Sequence, residues 1–209
     1  ALELLAGASY CGARTLFTCK QVGLNVASDA LMSLNYVGIK GGCVLFVADD
    51  PGPISSQTEQ DTRRFGAFSK VPVLDPATPE QGFAMMKAAF DLSEKYRTPV
   101  IVRPTTRIYF SSTFLEVEGG DANLPPRLGV AAGGVSASYV REAIRRLEEL
   151  CGEQGIQMPS YRFWQVGTPY PFPAAAADEF TCGLDRVIVF EELDHVIEDE
   201  LAVRAGRTH

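Results

Sequence analysis

The sequence is poor in the groups from which most catalytic and metal-binding motifs are built. Only two histidines occur in 209 residues, His195 and the terminal His209. No Ser–His–Asp set or Cys–His pair can be assembled around them. There are five cysteines, an odd number, and none stands in a Cys-x-x-Cys pair. A disulfide framework, a zinc ribbon and an iron–sulfur ligand set therefore lack their spacing, and free, mostly buried thiols in a reducing cytoplasm are the plain reading. Apolar runs are short and broken by Gly or Pro, so no segment reads as transmembrane. A basic N-terminal region leading into an apolar core, the mark of a signal peptide, is also missing. Basic charge is scarce: 19 Lys and Arg stand against 26 Asp and Glu, for a net charge of -7. The basic residues are spread, which argues against a nucleic-acid groove or an anionic membrane surface. Small anionic ligands need only a local site and stay open.

What is present is ordinary globular composition, 46% hydrophobic and 22% charged, in a length that suits one large domain or two small ones. The chain opens without Met in the helix-like "ALELLAGASY", as a fragment or processed product would. Apolar strands then alternate with helices. The first half reads as helix 2–12, strand 14–19, helix 27–38 and strand 42–49. It continues with helix 56–68, strand 71–75, a helix from Pro79 to about Tyr96 and strand 99–106. Ser56 and Glu59 have the spacing of a capping box, as do Thr78 and Gln81 with Pro79 at the first helical position. Phe83, Met86, Ala89 and Phe90 mark the apolar face of the second of these helices. Residues 111–126, rich in Gly, Pro and acids, read as an interdomain linker. The second half repeats the pattern: strand 127–132, helix 137–152, strand 161–166, helix 173–182, strand 186–191 and helix 195–204. Val140, Ala143, Ile144, Leu147, Leu150 and Cys151 share one face of helix 137–152. Strands this apolar, separated by helices, predict an α/β protein of two doubly wound domains with mainly parallel sheets, 1–110 and 127–209.

In such sheets ligands bind beyond the carboxyl ends of the strands. Three segments fall there in the first half. In "KQVGLNVAS" (20–28), Gly23 permits close backbone approach and Asn25 offers a donor and an acceptor; a turn with an exposed polar tip explains both as well. "ADDPGPISSQTEQDTRRF" (48–65) gathers Gln57, Glu59, Gln60 and Asp61 at a helix start. Capping and the helix dipole account for Ser56 and Glu59, and less well for Gln57, Gln60 and Asp61. In "PTTR" (104–107), with Arg103 before it, Arg103 and Arg107 can grip a carboxylate or phosphate, or pair with Asp or Glu. In the second half, "AAGGVS" (131–136) lacks both the Gly-x-Gly-x-x-Gly spacing and a Walker lysine, so close helix–sheet packing accounts for its glycines. "VGTPYPFP" (166–173) is a proline-stiffened crossover. Glu191-Glu192 ends a strand and could do acid–base work, whereas acids 194 and 198–200 read as a solvated helix face.

Several segments together resemble one family. "GASYCGARTLFTCKQVGLNVASDALMSLNYVGIKGG", "VADDPGPISSQTEQDTR", "KVPVLDP", "TPVIVRPTTR" and "VGTPYPFP…VFEELDHVIEDE" are similar to the α-subunit of indolepyruvate:ferredoxin oxidoreductase, a thiamine-diphosphate, iron–sulfur member of the 2-oxoacid:ferredoxin oxidoreductases. The similarity covers nearly the whole chain, and "KQVGLNVA" and "DDPGPISSQTEQDTR" are its most specific parts. It implies that 1–110 is a thiamine pyrimidine-binding-type domain, incomplete at its N-terminus, and that 127–209 is a transketolase C-terminal-like domain. The implied activity is oxidative decarboxylation of an aryl-2-oxoacid such as indolepyruvate to the acyl-CoA, with electrons passed to ferredoxin. Gly23, Leu24 and Asn25 would line the reacting end. Gln57, Glu59, Gln60 and Asp61 would position cofactor or substrate, or seal a subunit contact. The family's activating Glu stands nine residues before the Gly of Gly-Ala-Ser, which falls ahead of Ala1; Glu3 is out of register. Magnesium, the 4Fe-4S clusters and the diphosphate-binding domain are expected on other parts of the enzyme, completed by a second subunit in a dimer or hetero-oligomer. The isolated chain is expected to be inactive. Two rival readings are a non-catalytic α/β assembly or binding module of the same fold, and a synthase for another 2-oxoacid. Neither nucleic acid nor membrane is an expected partner.

Overall fold

Two parallel sheets organise the chain, which a computed structural model describes over residues 1–54, 56–109 and 127–204. The expected linker, 111–126, lies outside the described residues. The first sheet holds β1 (Thr15–Lys20), β2 (Cys43–Ala48), β3 (Val73–Leu74) and β4 (Val100–Val102) in the order β1-β2-β4-β3. All its pairings are parallel. The second holds β5 (Leu128–Gly133), β6 (Tyr161–Val166) and β7 (Arg186–Phe190) in the order β6-β5-β7, again parallel.

Alternation along β2 shows why the strands are apolar on both sides. Cys43, Leu45 and Val47 face one way, into a core with α1 (Leu2–Tyr10), α2 (Gln21–Val37) and α3 (Thr62–Ser69), which supply Leu2, Leu24, Leu31, Leu34 and Phe65. Val44 and Phe46 face the other way, against Met85, Met86, Ala89 and Phe90 of α4 (Pro79–Tyr96). A helix layer on each side removes both faces from water, so neither can carry polar residues. The second sheet is covered likewise. Ala137, Val140 and Ile144 of α6 (Gly134–Gln154) cover one face. Ala177 and Phe180 of α7 (Ala174–Thr181), with Ile197 and Leu201 of α8 (Val196–Arg204), cover the other. Two doubly wound α/β units are thus present, as the strand–helix alternation predicts.

Several boundaries differ from the sequence expectation, each for a local reason. Helix α2 starts at Gln21 rather than residue 27, because Leu24 lies seven residues before Leu31 and buries on the same face. Helix α3 starts at Thr62, with Asp61 as N-cap accepting from the Arg63 amide. The expected Ser56–Glu59 capping box does not form; Glu59 Oε1 instead accepts from the Gly52 amide at 2.9 Å. The Thr78 cap does form, its hydroxyl accepting from Gln81 N at 3.2 Å. Strand β4 ends at Val102, and α5 (Thr106–Tyr109) follows. On α4, Phe83 is exposed rather than on the packed face, and Leu147 and Leu150 of α6 are half-exposed. α6 begins at Gly134, where φ is +50° and an added Cβ would lie 2.9 Å from Asp75 Oδ2. That close approach, rather than ligand binding, is what the glycine serves.

Candidate functional site

In the first sheet β1 ends in Lys20, and a charged residue directly follows each of the other three strands. Asp49 follows β2, Asp75 follows β3 and Arg103 follows β4. Arg103 is 1% exposed; its Nε donates to Asp49 Oδ2 at 2.7 Å and its Nη1 to Asp75 Oδ1 at 3.2 Å. Asp49 also accepts from the Thr62 amide at 2.9 Å and from the Thr62 hydroxyl. One guanidinium thus ties three strand ends together, and one carboxylate ties β2 to the start of α3. Burial raises the Asp75 carboxyl above its usual range, outweighing the opposing charges of Arg103 and Arg63.

Between Asp49 and Asp61 the chain makes a polar loop folded around its own acids. Asp50 Oδ2 accepts from the amides of Ile54 (3.1 Å) and Ser56 (3.0 Å), and Asp50 Oδ1 accepts from the Thr106 hydroxyl at 2.8 Å. The loop lies against the start of α2: Lys20 Nζ donates to Ser56 Oγ at 3.2 Å, and Gln21 Nε2 to Thr58 O at 3.0 Å. Gln21 is fully buried, yet its Oε1 has no hydrogen-bond partner among the described residues. The first turn of α2 and the 50–61 loop therefore form one continuous edge.

The second sheet presents its own carboxyl ends to this edge. Asp75 N donates to Gly167 O at 2.9 Å, and Val73 N to Tyr170 O at 2.8 Å. Ser138 Oγ donates to Ala77 O at 2.7 Å. Gln81 and Gln165 exchange amide hydrogen bonds at 3.2 and 2.7 Å. Arg63, 1% exposed in its side chain, reaches Glu191 and the backbone beyond β7. At this junction Arg103 Nη2, Thr105 Oγ1 and Glu192 Oε2 are buried without hydrogen-bond partners among the described residues. Burial raises the Glu192 carboxyl, against the nearby positive charges of Arg103 and Arg107. Strand ends, buried charge and unsatisfied polar atoms thus coincide where parallel sheets place ligands.

Comparison with known proteins fixes the lineage. The indolepyruvate oxidoreductase subunit IorA of Methanothermobacter thermautotrophicus is 34% identical over 256 aligned residues, which take in 99% of this chain and 40% of that protein. The IorA of Pyrococcus horikoshii is 32% identical over 259, covering 98% and 39%. The chain belongs to the IorA family. It spans about 40% of the length of these IorA relatives. The aligned stretch is longer than the 209-residue chain, so the relatives carry internal residues that it lacks. No family model matches. Among solved structures, 2-oxoglutarate:ferredoxin oxidoreductase from Magnetococcus marinus superposes with a TM-score of 0.72 at 18% identity, over 99% of this chain and 50% of that one. A split-gene transketolase gives 0.66 at 18% identity, over 97% and 67%. Both share the fold across the two sheets.

Within this IorA-type chain, the residues singled out from sequence fall into three groups. Gln57 is exposed and Gln60 half-buried in the 50–61 loop, with both side-chain amides unengaged among the described residues. Asn25 is exposed on the first turns of α2. These three are free to meet a ligand. Glu59 is exposed, with one oxygen held by Gly52. Gly23 sits inside α2, where an added Cβ would lie 2.8 Å from Cys19 Cβ, so its smallness serves helix–strand packing. Leu24 is 0% exposed and packs in the core, which corrects the expectation that its side chain lines the reacting end. Asp61 caps α3 and grips Arg63; the charge and hydrogen bonds of Arg63 outweigh its burial and hold its carboxyl below the usual range. Its carboxylate is committed to the protein. Arg107 stacks over Tyr139 and donates to its hydroxyl at 2.8 Å. His195 is exposed and pairs with Glu198. Asp49, Asp75 and Arg63 were not singled out. The signal that could have found Asp49 and Asp75 is a charge directly after an apolar strand; Arg63, inside α3, carries no such signal.

Proposed function

We propose that the chain forms one wall of a thiamine-diphosphate site in an oxidoreductase that oxidatively decarboxylates an aryl-2-oxoacid such as indolepyruvate, yields the acyl-CoA and passes electrons to ferredoxin. The reading treats 1–110 as the pyrimidine-binding-type domain and 127–209 as the transketolase C-terminal-like domain. It is supported by membership of the IorA family together with one structural observation: the first turn of α2 and the 50–61 loop meet at the carboxyl edge of the first sheet, joined through Lys20–Ser56 and Gln21–Thr58. The donor set suits an aminopyrimidine. Asn25, Gln57 and Gln60 each offer an amide donor beside an acceptor, and Gln21 Oε1 adds a buried acceptor without a partner. Bound thiamine diphosphate would supply the carbon nucleophile for the keto group of the oxoacid. The protein's own part is to orient the ring and exclude water at that edge. Magnesium and the 4Fe-4S clusters are assigned to other parts of the enzyme, as the family resemblance implies. So are the activating Glu and the diphosphate-binding wall, which a partner domain or second subunit would bring. On this reading the isolated chain is inactive, and the assembled enzyme works in the cytoplasm.

The test is calorimetric titration of the assembled enzyme with thiamine diphosphate, together with turnover of indolepyruvate. Gln57→Ala and Asn25→Ala should each weaken cofactor binding or turnover by about tenfold, the equivalent of one lost hydrogen bond, with thermal unfolding unchanged. Wild-type binding and turnover in both variants would overturn the assignment. A panel of 2-oxoacids decides the substrate.

A further inference from the structure

We propose that Arg63 is a positioning residue through which the second sheet sets the course of the 50–61 loop. The inference rests on the reading above only in giving that loop a role at the cofactor.

Arg63 is the second residue of α3 and its side chain is 1% exposed. Its guanidinium is divided between the two units. Toward the first, Nε reaches both Asp61 oxygens (3.0 and 3.2 Å) and Nη2 reaches Asp61 Oδ2 at 2.8 Å. Toward the second, Nη1 donates to Glu191 Oε2 at 3.1 Å, and Nη2 donates to Glu192 O and to Asp194 O. Glu191 in turn accepts from the amides of Val196, Ile197 and Glu198 at 2.9–3.1 Å, and so caps α8. The turn between β7 and α8 runs through Leu193 at φ +69°, a left-handed conformation that costs a leucine free energy and needs holding from outside. One side chain thus fixes the exit of the polar loop at Asp61, the turn after β7 and the start of α8. The loop is also held at Asp49 and Asp50 by Thr62, Arg103 and Thr106, and the Thr62 bonds tie Asp49 to the start of α3. With Arg63 released, the loop would keep those ties and lose the one that joins Asp61 to the second sheet.

The next residue supplies a control. Arg64 also crosses to the second unit, reaching Asp194 at 3.4 Å and Asp199 at 2.7 Å, but its side chain is 46% exposed. Such surface pairs contribute little. Lysine cannot replace Arg63, because a single ammonium does not reproduce a fork directed at two carboxylates and two carbonyls.

The experiment is hydrogen–deuterium exchange, read by mass spectrometry on the protein in its native assembly, for Arg63→Lys, Glu191→Gln and Arg64→Ala. Glu191→Gln keeps an acceptor for the α8 amides and carries the test if Arg63→Lys fails to fold. Arg63→Lys and Glu191→Gln should each speed exchange about tenfold or more in peptides covering 52–61 and 191–199. Peptides covering β2 and β5 should be unaffected, and Arg64→Ala should match wild type. The double variant should exceed the stronger single variant by little, since both break one lock. Acceleration confined to 191–199, or spread evenly through both sheets, would overturn the proposal. Acceleration of 52–61 with unchanged thiamine diphosphate affinity would leave the lock standing and remove the cofactor role from the loop.

Discussion

Replacing Arg103 by methionine probes the buried charge cluster most directly. In the native chain this guanidinium is fully enclosed between Asp49 and Asp75, at 2.7 and 3.2 Å. Unit charges about 4 Å apart at an effective dielectric of 20 attract by about 4 kcal/mol. Removing one partner of a buried pair destabilises by about 3–5 kcal/mol, because the remaining charge is stranded. The two acids would not suffer equally. Asp49 keeps the Thr62 amide and hydroxyl, while Asp75 loses the only hydrogen bond its carboxylate makes among the described residues. Thermal unfolding should therefore fall by about 6–20 °C, at roughly 2–4 °C per kcal/mol for a chain of this size. Adding Asp75→Asn should recover about half the loss. The pH dependence has a definite sign. Burial already raises the Asp75 carboxyl in the folded chain. The protonated form is thus favoured by folding, and its benefit is complete below the unfolded carboxyl value of about 3.9. That benefit is lost as pH rises through the raised folded value. Arg103→Met should deepen this trend, so its deficit relative to wild type should shrink as pH falls from 7 toward 5. A deficit under 1 kcal/mol, or no recovery from Asp75→Asn, would refute the account of Arg103 as the counter-charge of the strand ends.

Two further predictions concern the scaffold. Leu24→Ala should cost about 2–5 kcal/mol, measured by chemical denaturation, because Leu24 is wholly enclosed beneath α2; a loss near zero would mean the side chain faces a ligand surface after all. For the thiols, burial and the charge of Asp49 push Cys19 up to about 11, whereas Cys11 and Cys182 are exposed. Iodoacetamide at pH 7.5 should therefore label Cys11 and Cys182 first, with Cys19 slower by more than about 100-fold; peptide mass spectrometry showing equal rates would refute it.

The alternation of apolar strands with amphipathic helices was legible in the sequence, because residues such as Val44–Val47 are buried on both faces and Ala137, Val140 and Ile144 repeat at helical spacing. The starts of α2 and α3 were not. Gln21 to Asn25 reads as a polar turn until Leu24 is counted with Leu31. The Ser56–Glu59 spacing fits a cap, but Asp61 and Asp49 take that task. Local pattern names a capable residue; tertiary contacts decide which one is used. The same holds for the site. The loop rich in Gln, Glu and Asp was conspicuous, but the partners that shape it lie far along the chain. Arg103 stands 54 residues from Asp49, and Arg63 128 from Glu191. Nothing in the local sequence writes those pairings.

The facing carboxyl edges have one more consequence. Parallel α/β units direct their helix N-termini, each carrying about half a positive charge, toward that edge. Here several of those ends are already satisfied from within: α3 by Asp61 and Asp49, α8 by Glu191, and α6 with the Asp75 carboxylate against its first residue. A phosphate seeking the usual helix-end cradle would meet a resident carboxylate at each of them. These helix ends are thus closed to anionic ligands by the chain's own carboxylates.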